Sequence, residues 1–357
     1  MHLLEVKDLK VHFKIKGGWV QAVDGVSFYV DEKETLGIVG ESGCGKTTTA
    51  YAITQLLPKN AYIKGGEIRF MGENLLKYIN KDGTIDIFNE HIRKIRWDKI
   101  SIIFQGAMDA LNPVYKVGKQ IEEAMLAHPD ALRDLAYMEL SENQRHTPGA
   151  MQEAARRRVE ELYEIVGIPK DRIDNYPHEY SGGMKQRALI AMALALNPAL
   201  MIADEPTTAL DVITQYKILG EIKNIQKEYD MAMIVISHDI STVAEISDRM
   251  AVMYAGRLAE TSNTLDLFMD PRHPYTIGLL NSIPTIKGDR ETLLSRLQSI
   301  PGSPPPLVNP PSGCRFHPRC PFAKPICSEK VPEATVVGPN HVVWCHKAAA
   351  ESAGDEW

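Results

Sequence analysis

The feature that most constrains this chain is a glycine-rich run at residues 40–47, Gly-Glu-Ser-Gly-Cys-Gly-Lys-Thr. It fits the pattern G-x-x-x-x-G-K-[ST], follows the apolar run LGIV and precedes a helical pattern. Glycines let backbone N–H groups converge on phosphate oxygens, and the helix start adds partial positive charge. The run therefore predicts a strand–loop–helix unit that binds a nucleotide. The residues expected to contact it are Gly40, Ser42, Gly43, Cys44, Gly45, Lys46, Thr47 and Thr48.

Within this phosphate loop, Lys46 is expected to bind the β- and γ-phosphates and Thr47 to hold Mg²⁺. The alternative is an incidental glycine turn before a helix. Cys44 has two interpretations, a small residue that fills the loop or a thiol open to modification.

Apolar runs of strand length alternate with helical patterns over much of the chain. ALMIADEP and AMIVISHD are typical of buried strands. Strands separated by helices form parallel sheets, so the sequence predicts an α/β fold. Between about residues 118 and 166 apolar residues recur three or four apart, which predicts a helical insertion between the strands.

The composition excludes several classes of protein. The chain has 40 basic and 46 acidic residues, a net charge of −6, which argues against binding nucleic acid by bulk phosphate neutralisation. No apolar run reaches transmembrane length, and the charged start MHLLEVKDLK does not resemble a signal peptide. We expect a cytosolic protein, in which five cysteines do not indicate a disulfide framework.

An acidic pair, Asp204 and Glu205, follows the apolar run LMIA. A carboxylate at the end of a buried strand is costly unless a cation or hydrogen-bond donors satisfy it. Mg²⁺ would satisfy Asp204, and Glu205 would then orient and deprotonate an attacking water. The alternative is an acidic loop at a strand end.

Four further motifs complete a recognisable order. Gln105 follows ISIIF, residues 181–186 read Ser-Gly-Gly-Met-Lys-Gln, residues 209–211 read Ala-Leu-Asp, and His238 follows IVIS. Each motif is weak alone, but their order resembles that of ABC-transporter ATPases over residues 1–260. The resemblance implies a P-loop NTPase core, with an ABC nucleotide-binding domain at 1–260 and a helical subdomain at about 106–190.

The resemblance also assigns roles to individual residues. Glu205, His238 and Gln105 are expected to be catalytic, and Thr47, Gln105 and Asp204 to hold Mg²⁺. The family pairs two ATPase subunits head to tail, so that Ser181, Gly182, Gly183 and Asp211 contact the nucleotide of the partner. A serine and open N–H groups at a helix start suit a γ-phosphate. Phe13 is the expected adenine-stacking residue, with Trp19 as the alternative.

Residues 270–276, Asp-Pro-Arg-His-Pro-Tyr-Thr, resemble the extension of dipeptide and oligopeptide permease ATPases, as does Leu111-Asn112-Pro113. Residues 106–110 depart from that family, which has Asp-Pro after the glutamine. The resemblance implies an importer subunit that lies at the cytoplasmic face of the membrane, bound peripherally to two permease subunits. An extracytoplasmic peptide-binding protein would be an indirect partner, because it delivers the peptide to the permeases. Nickel or oligosaccharide is the alternative cargo, and the ATPase partner is a second copy or a sister subunit.

Residues 261–357 are expected to form a separate, irregular extension, because residues 301–332 contain ten of the 22 prolines. Its cysteines resemble the family's C-terminal cysteine motif, which binds a [4Fe–4S] cluster in some members. Zinc, with His317 or His346 as a possible ligand, and unligated thiols are the alternatives. The cysteines concerned are Cys314, Cys320, Cys327 and Cys345.

Two other classes of protein also carry a phosphate loop. A soluble ABC ATPase of DNA repair or translation usually has coiled-coil arms or two cassettes, whereas this chain has one cassette and no basic tract. A P-loop kinase or GTPase would not need the motif at residues 181–186. Both are therefore less consistent with the sequence, and no nucleic-acid partner is expected.

Overall fold

The computed structural model describes residues 2–106, 110–135, 140–141, 145, 149–207, 211–283 and 300–357. Contacts divide the chain into two compact units: unit 1 comprises Met1–Asp86 and Ile236–Trp357, and unit 2 comprises Ile87–Val235. The described residues do not include 107–109, in the loop after Gln105, or 209–210, in the motif that ends at Asp211.

Unit 1 contains β1 (Leu4–Ile15), β2 (Gly18–Val30), β3 (Thr35–Val39), α1 (Lys46–Ile53), β4 (Ala61–Phe70), β5 (Glu73–Asn74), α8 (Ile240–Ile246), β9 (Arg249–Tyr254), β10 (Arg257–Asn263), α9 (Thr264–Met269), α10 (Pro274–Asn281), α11 (Pro325–Glu329), β11 (Thr335–Gly338), β12 (His341–Val343) and α12 (His346–Ala353). Unit 2 contains α2 (Glu90–Ile95), β6 (Ile100–Ile103), α3 (Val117–Leu126), α4 (Pro129–Leu135), α5 (Ala150–Ile165), α6 (Gly182–Ala193), β7 (Leu200–Asp204) and α7 (Val212–Glu228). The strand β8 (Ala232–Ser237) carries the chain from unit 2 back into unit 1.

An antiparallel sheet of order β2-β1-β4-β5 forms the N-terminal part of unit 1. A turn at Gly17-Gly18 joins β1 to β2, because glycine adopts the positive φ that the turn needs. Apolar residues along β1, such as Val6 and Val11, are fully buried on one face. This sheet carries the half-buried Phe13, which pairs with Val20 across the sheet.

The strand that leads into the phosphate loop, β3, is buried at all five positions. It pairs in parallel with β9, as β6 does with β7 in unit 2, so the predicted parallel pairing is confirmed. Because β3 is buried on both faces, its end is a firm support for the loop that follows.

The C-terminal extension has more regular structure than the sequence analysis predicts. Its strand β12 pairs with β10 through Glu260↔Val343 and Thr261↔Val342, and β11 pairs with β12. The prediction of an irregular tail was wrong here, because the dense prolines end at Pro332 and leave the β-branched run after them able to form strands.

Unit 2 contains the helices predicted between residues 118 and 166, as α3, α4 and α5. Helix α5 buries one apolar stripe that includes Val159, Leu162 and Tyr163. This stripe packs against α3 and α4, which are themselves amphipathic.

Two helix ends differ from expectation by a few residues. Helix α1 ends at Ile53, whereas the pattern predicts about Leu57, because Gln55 adopts a left-handed φ of +52°. The polar Ser-Gly-Gly run predicts that the next helix begins near Met184, but α6 begins at Gly182 because Ser181 caps it. Within the described part of the chain, no helix combines the length and apolarity needed to span a bilayer.

Candidate nucleotide-binding site

The phosphate loop of unit 1 needs glycine for two separate reasons. Gly45 caps α1 with φ +104°, and a Cβ there would lie 2.3 Å from the carbonyl oxygen of Ala22. Gly43 has φ +79°, yet a Cβ there would meet nothing within 4 Å. Gly45 therefore permits close backbone packing, whereas Gly43 borders open space of the kind that phosphate oxygens can enter.

Lys46 lies buried at the start of α1, and its ammonium faces back onto the loop. Its Nζ donates to the carbonyl oxygens of Gly40 at 2.7 Å and Glu41 at 3.1 Å. These carbonyls hold the ammonium at the loop. The oxygens of a bound phosphate are charged, so they would accept hydrogen bonds from it more strongly than the carbonyls do. The structure thus places Lys46 where the sequence predicts a phosphate-binding lysine.

Cys44 is buried beside this lysine, with its Sγ 3.8 Å from Lys46 Nζ. Burial raises the pKa of the Cys44 thiol, and the nearby ammonium only partly offsets that effect. A protonated, buried thiol is a poor nucleophile. The geometry therefore favours the interpretation of Cys44 as a residue that fills the loop.

Two residues from distant parts of the chain hold the loop at Glu41, and sequence reasoning missed both. The Glu41 backbone N–H donates to the hydroxyl of Tyr275 at 3.0 Å, and its carboxylate pairs with Arg319. Tyr275 belongs to a motif noted for its family resemblance, and Arg319 directly precedes a motif cysteine. Neither pattern indicates a contact with the phosphate loop.

The predicted catalytic pair of unit 2 is brought together. Gln105 Nε2 donates to Glu205 Oε2 at 3.0 Å, although the two residues are 100 positions apart. Glu205 has a left-handed φ of +48°, an unusual backbone conformation for a residue with a side chain and one that is frequent at active sites. Asp204, the last residue of β7, is fully buried.

The predicted signature residues form a helix start with an exposed serine. Ser181 accepts a hydrogen bond from the Met184 N–H at 3.3 Å, and Gly182 begins α6. Asp211 likewise caps α7, where it accepts from the Thr214 N–H at 3.0 Å and hydroxyl at 2.7 Å. These bonds lower the pKa of Asp211, so it stays ionised.

His238 follows β8 in unit 1 and is an exposed residue. The two adenine candidates differ in their surroundings. Phe13 is half-buried in β1, whereas the Trp19 ring is covered by the Lys64 ammonium at 4.1 Å and contacts the Tyr62 ring edge-on at 5.1 Å. Since a cation already covers Trp19, Phe13 is the better candidate.

The four cysteines of the extension all line one small cavity of about 10 Å³ in unit 1. Burial raises the pKa of Cys314 to about 12 and that of Cys320 to about 11, so both thiols are neutral without a metal. Among the described residues, however, no group of three or more His, Cys, Asp or Glu is arranged to hold a metal ion.

The family model for the ABC transporter matches residues 23–208, and the model for the oligopeptide/dipeptide transporter C-terminal region matches residues 259–327. The oligopeptide transport ATP-binding protein OppD of Bacillus subtilis is 46% identical over 96% of this chain and 87% of its own length. The dipeptide transport ATP-binding protein DppD of the same organism is 42% identical over 98% of this chain and 97% of its own.

Among solved structures, the ATP-binding cassette MJ0796, determined as a dimer bound to ADP and Pi, superposes with a TM-score of 0.57. It is 26% identical and covers 73% of this chain and 98% of its own. The predicted fold is therefore confirmed: this is the P-loop NTPase fold of ABC ATPases. With both family models matched, the chain belongs to the ABC transporter family as an ATPase that carries the C-terminal region of oligopeptide and dipeptide transporters.

Proposed function

We propose that this protein is the ATP-hydrolysing subunit of an ABC importer that takes up dipeptides or oligopeptides through permease subunits. The observation that carries the proposal is the combination of a complete nucleotide motif set with the peptide-transporter C-terminal region at residues 259–327. Relatives named for oligopeptide and dipeptide transport match the chain over nearly its whole length.

We assign each part that hydrolysis needs to a residue of this chain. Lys46 binds the phosphates, and Glu205 acts as the general base that deprotonates water, held in place by Gln105 at 3.0 Å. Thr47, Gln105 and Asp204 are the proposed ligands of Mg²⁺, which neutralises phosphate charge when bound. His238, an exposed residue, is the remaining proposed catalytic residue and would contact the γ-phosphate.

We propose that two ATPase subunits, identical or sister, close on ATP. Ser181 and the two glycines after it lie at the start of α6, where the partial positive charge of the helix favours an anion, and Asp211 caps the start of α7. The relative solved as a dimer with ADP and Pi supports this arrangement.

We place the permease contact in unit 2, near Gln105 in the sequence. Phe88, Val114 and Tyr115 expose 73%, 70% and 59% of their surface, which is unusual for large apolar residues. A permease cytoplasmic helix with an apolar face would cover them, which would hold the subunit at the cytoplasmic face of the membrane.

Peptide transport is tested by uptake in cells that lack this gene. Restoring the wild-type chain should restore uptake of labelled di- and oligopeptides, and the permease subunits should copurify with it. Uptake of nickel or an oligosaccharide in place of peptides would identify a different cargo. Unchanged peptide uptake without the gene contradicts the proposal.

We further propose that Cys314, Cys320, Cys327 and Cys345 bind a [4Fe–4S] cluster. A single zinc ion holds its thiolates at about 2.3 Å, which puts the sulfurs roughly 4 Å apart. The described residues offer no such group, but all four thiols line the same small cavity, which would have to widen around a cluster. Loading would deprotonate the buried thiols and tie the loops together.

The histidines named for the zinc alternative are each engaged through one ring nitrogen. His317 Nδ1 donates to the Cys314 carbonyl and His346 Nε2 to the Lys330 carbonyl, both at 2.9 Å. Histidines that bind a metal through one ring nitrogen commonly donate a hydrogen bond from the other in this way. Analysis of the bound metal therefore distinguishes zinc from an iron–sulfur cluster.

Replacing Cys320 by serine should remove the brown colour and most of the iron and sulfide from protein purified without oxygen. The physical reason is that serine is a poor ligand for iron in a thiolate-bound cluster. The matched control is Cys44→Ser, which leaves the extension intact and should retain iron. A colourless wild type that contains zinc would contradict the cluster.

A further inference from the structure

We propose that Arg319 is a positioning residue for ATP binding: it neutralises Glu41 inside the phosphate loop and fixes the loop backbone. This inference rests on ATP binding at residues 40–47, and not on the identity of the cargo. It connects the cysteine-containing extension to the nucleotide site within unit 1.

The contact between the two residues is bidentate. Arg319 Nη1 donates to Glu41 Oε2 at 2.8 Å and Nη2 donates to Oε1 at 3.1 Å. This is the fork geometry in which a guanidinium binds a carboxylate most strongly and most specifically.

Arg319 is itself held rigidly, with only 8% of its surface exposed. Its Nε donates to the Pro301 carbonyl at 2.7 Å, and its Nη atoms also donate to the Tyr254 hydroxyl at 3.2 Å and the Gly302 carbonyl at 3.3 Å. A buried guanidinium with every nitrogen bonded has little freedom to follow the loop, so the loop must conform to it.

Glu41 is also fixed through its backbone. Its N–H donates to the Tyr275 hydroxyl, and its carbonyl accepts from Lys46 Nζ and from the Cys44 N–H at 3.3 Å. Tyr275 is buried, with its ring 4.6 Å from that of Tyr254. Arg319 and Tyr275 thus hold the side chain and the N–H of one loop residue from outside the loop.

The charge of Glu41 explains why such a contact is needed. The loop must accept a polyphosphate, and a carboxylate within the loop repels that anion. At about 8 Å and an effective dielectric constant of about 20, one pair of unit charges changes an equilibrium roughly thirtyfold. Arg319 cancels this repulsion, and without it the penalty grows with the number of phosphate charges.

The test measures ATP and ADP dissociation constants by calorimetry on the full-length protein. Arg319→Ala should weaken ATP binding by about tenfold or more and ADP binding by less, because ADP carries less charge. Adding Glu41→Gln to Arg319→Ala should restore ATP affinity to within about threefold of wild type, since the repelling charge is gone. Arg319→Lys, which keeps the charge without the fork, should fall between wild type and Arg319→Ala.

The matched control is Arg249→Ala in the same unit. Arg249 is equally buried and pairs with Glu34 at 2.8 Å, but it lies opposite Leu36, at the end of β3 away from the loop. Its loss should lower the melting temperature and leave ATP affinity unchanged.

Equal losses for ATP and ADP in Arg319→Ala, without rescue by Glu41→Gln, would overturn the proposal and leave Arg319 a purely structural residue. Unchanged ATP affinity in folded Arg319→Ala would also overturn it. If Arg319→Ala does not fold, the dissociation constants for ATP and ADP are compared instead in Arg319→Lys and in the double variant that combines Arg319→Ala with Glu41→Gln. A wild-type chain that binds no ATP would instead refute the nucleotide site itself.

Discussion

Replacing Glu205 by glutamine should reduce ATP turnover by about 10²–10⁴-fold, the usual contribution of a positioned general base. Glutamine has the same shape and still meets Gln105, whose Nε2 lies 3.0 Å from the Glu205 carboxylate. It cannot take a proton from water, however. ATP should therefore bind and remain unhydrolysed, and the subunits should stay associated.

The measurement combines steady-state phosphate release with size-exclusion chromatography in ATP and Mg²⁺. Glu161→Gln on α5, a partly exposed carboxylate paired with Arg158 in the same unit, is the matched control and should behave as wild type. Equal turnover in the Glu205 variant would remove this residue from the role of base. A variant that stays monomeric in ATP at high concentration would contradict ATP-driven pairing.

Lys46→Ala should weaken ATP binding by roughly 30- to 4,000-fold, because losing one partner of a buried, hydrogen-bonded charge pair costs about 2–5 kcal/mol. Turnover at cellular ATP concentrations should then be lost. The fold should survive, because among the described residues Lys46 Nζ donates only to the loop itself, to the carbonyls of Gly40 and Glu41 and the sulfur of Cys44.

Titration with a fluorescent ATP analogue gives the affinity, and thermal melting gives the stability. Lys46→Arg is the matched variant: it keeps the charge, but its planar head does not fit a site shaped for an ammonium, so binding should also fall. If Lys46→Ala binds ATP as tightly as wild type, residues 40–47 are not the phosphate site.

The sequence predicts local features of this site well and distant contacts poorly. The phosphate loop was predictable because glycines, lysine and the flanking strand and helix are consecutive. Gln105 and Glu205 were paired only through the family resemblance, since no local rule relates residues 100 apart. The Glu41–Arg319 pair, 278 positions apart, had no signal at all, because a surface glutamate and a tail arginine are ordinary in isolation.

The extension illustrates a second limit. Proline density predicts no helix in residues 301–332, yet the short helix α11 (Pro325–Glu329) forms there. Composition also does not show which sheet a later strand will join. The strand β12 pairs with β10 through two residue pairs, together with a buried contact between His341 Nε2 and Glu260 Oε1 at 2.7 Å. Such pairings depend on the assembled sheet, so they emerge only with the tertiary structure.

The position of β12 bears on any attempt to shorten this chain. A chain that ends near residue 330 lacks β11 and β12, so one side of β10 would have no partner strand. The buried Glu260 would also lose its contact with the imidazole of His341. An unpaired edge strand exposes backbone N–H and C=O groups that pair with strands of other molecules. We therefore expect such a fragment to self-associate and precipitate. Since the truncation also removes Cys345, a full-length Cys345→Ser chain that stays in solution would separate the loss of the strand from the loss of a cluster ligand.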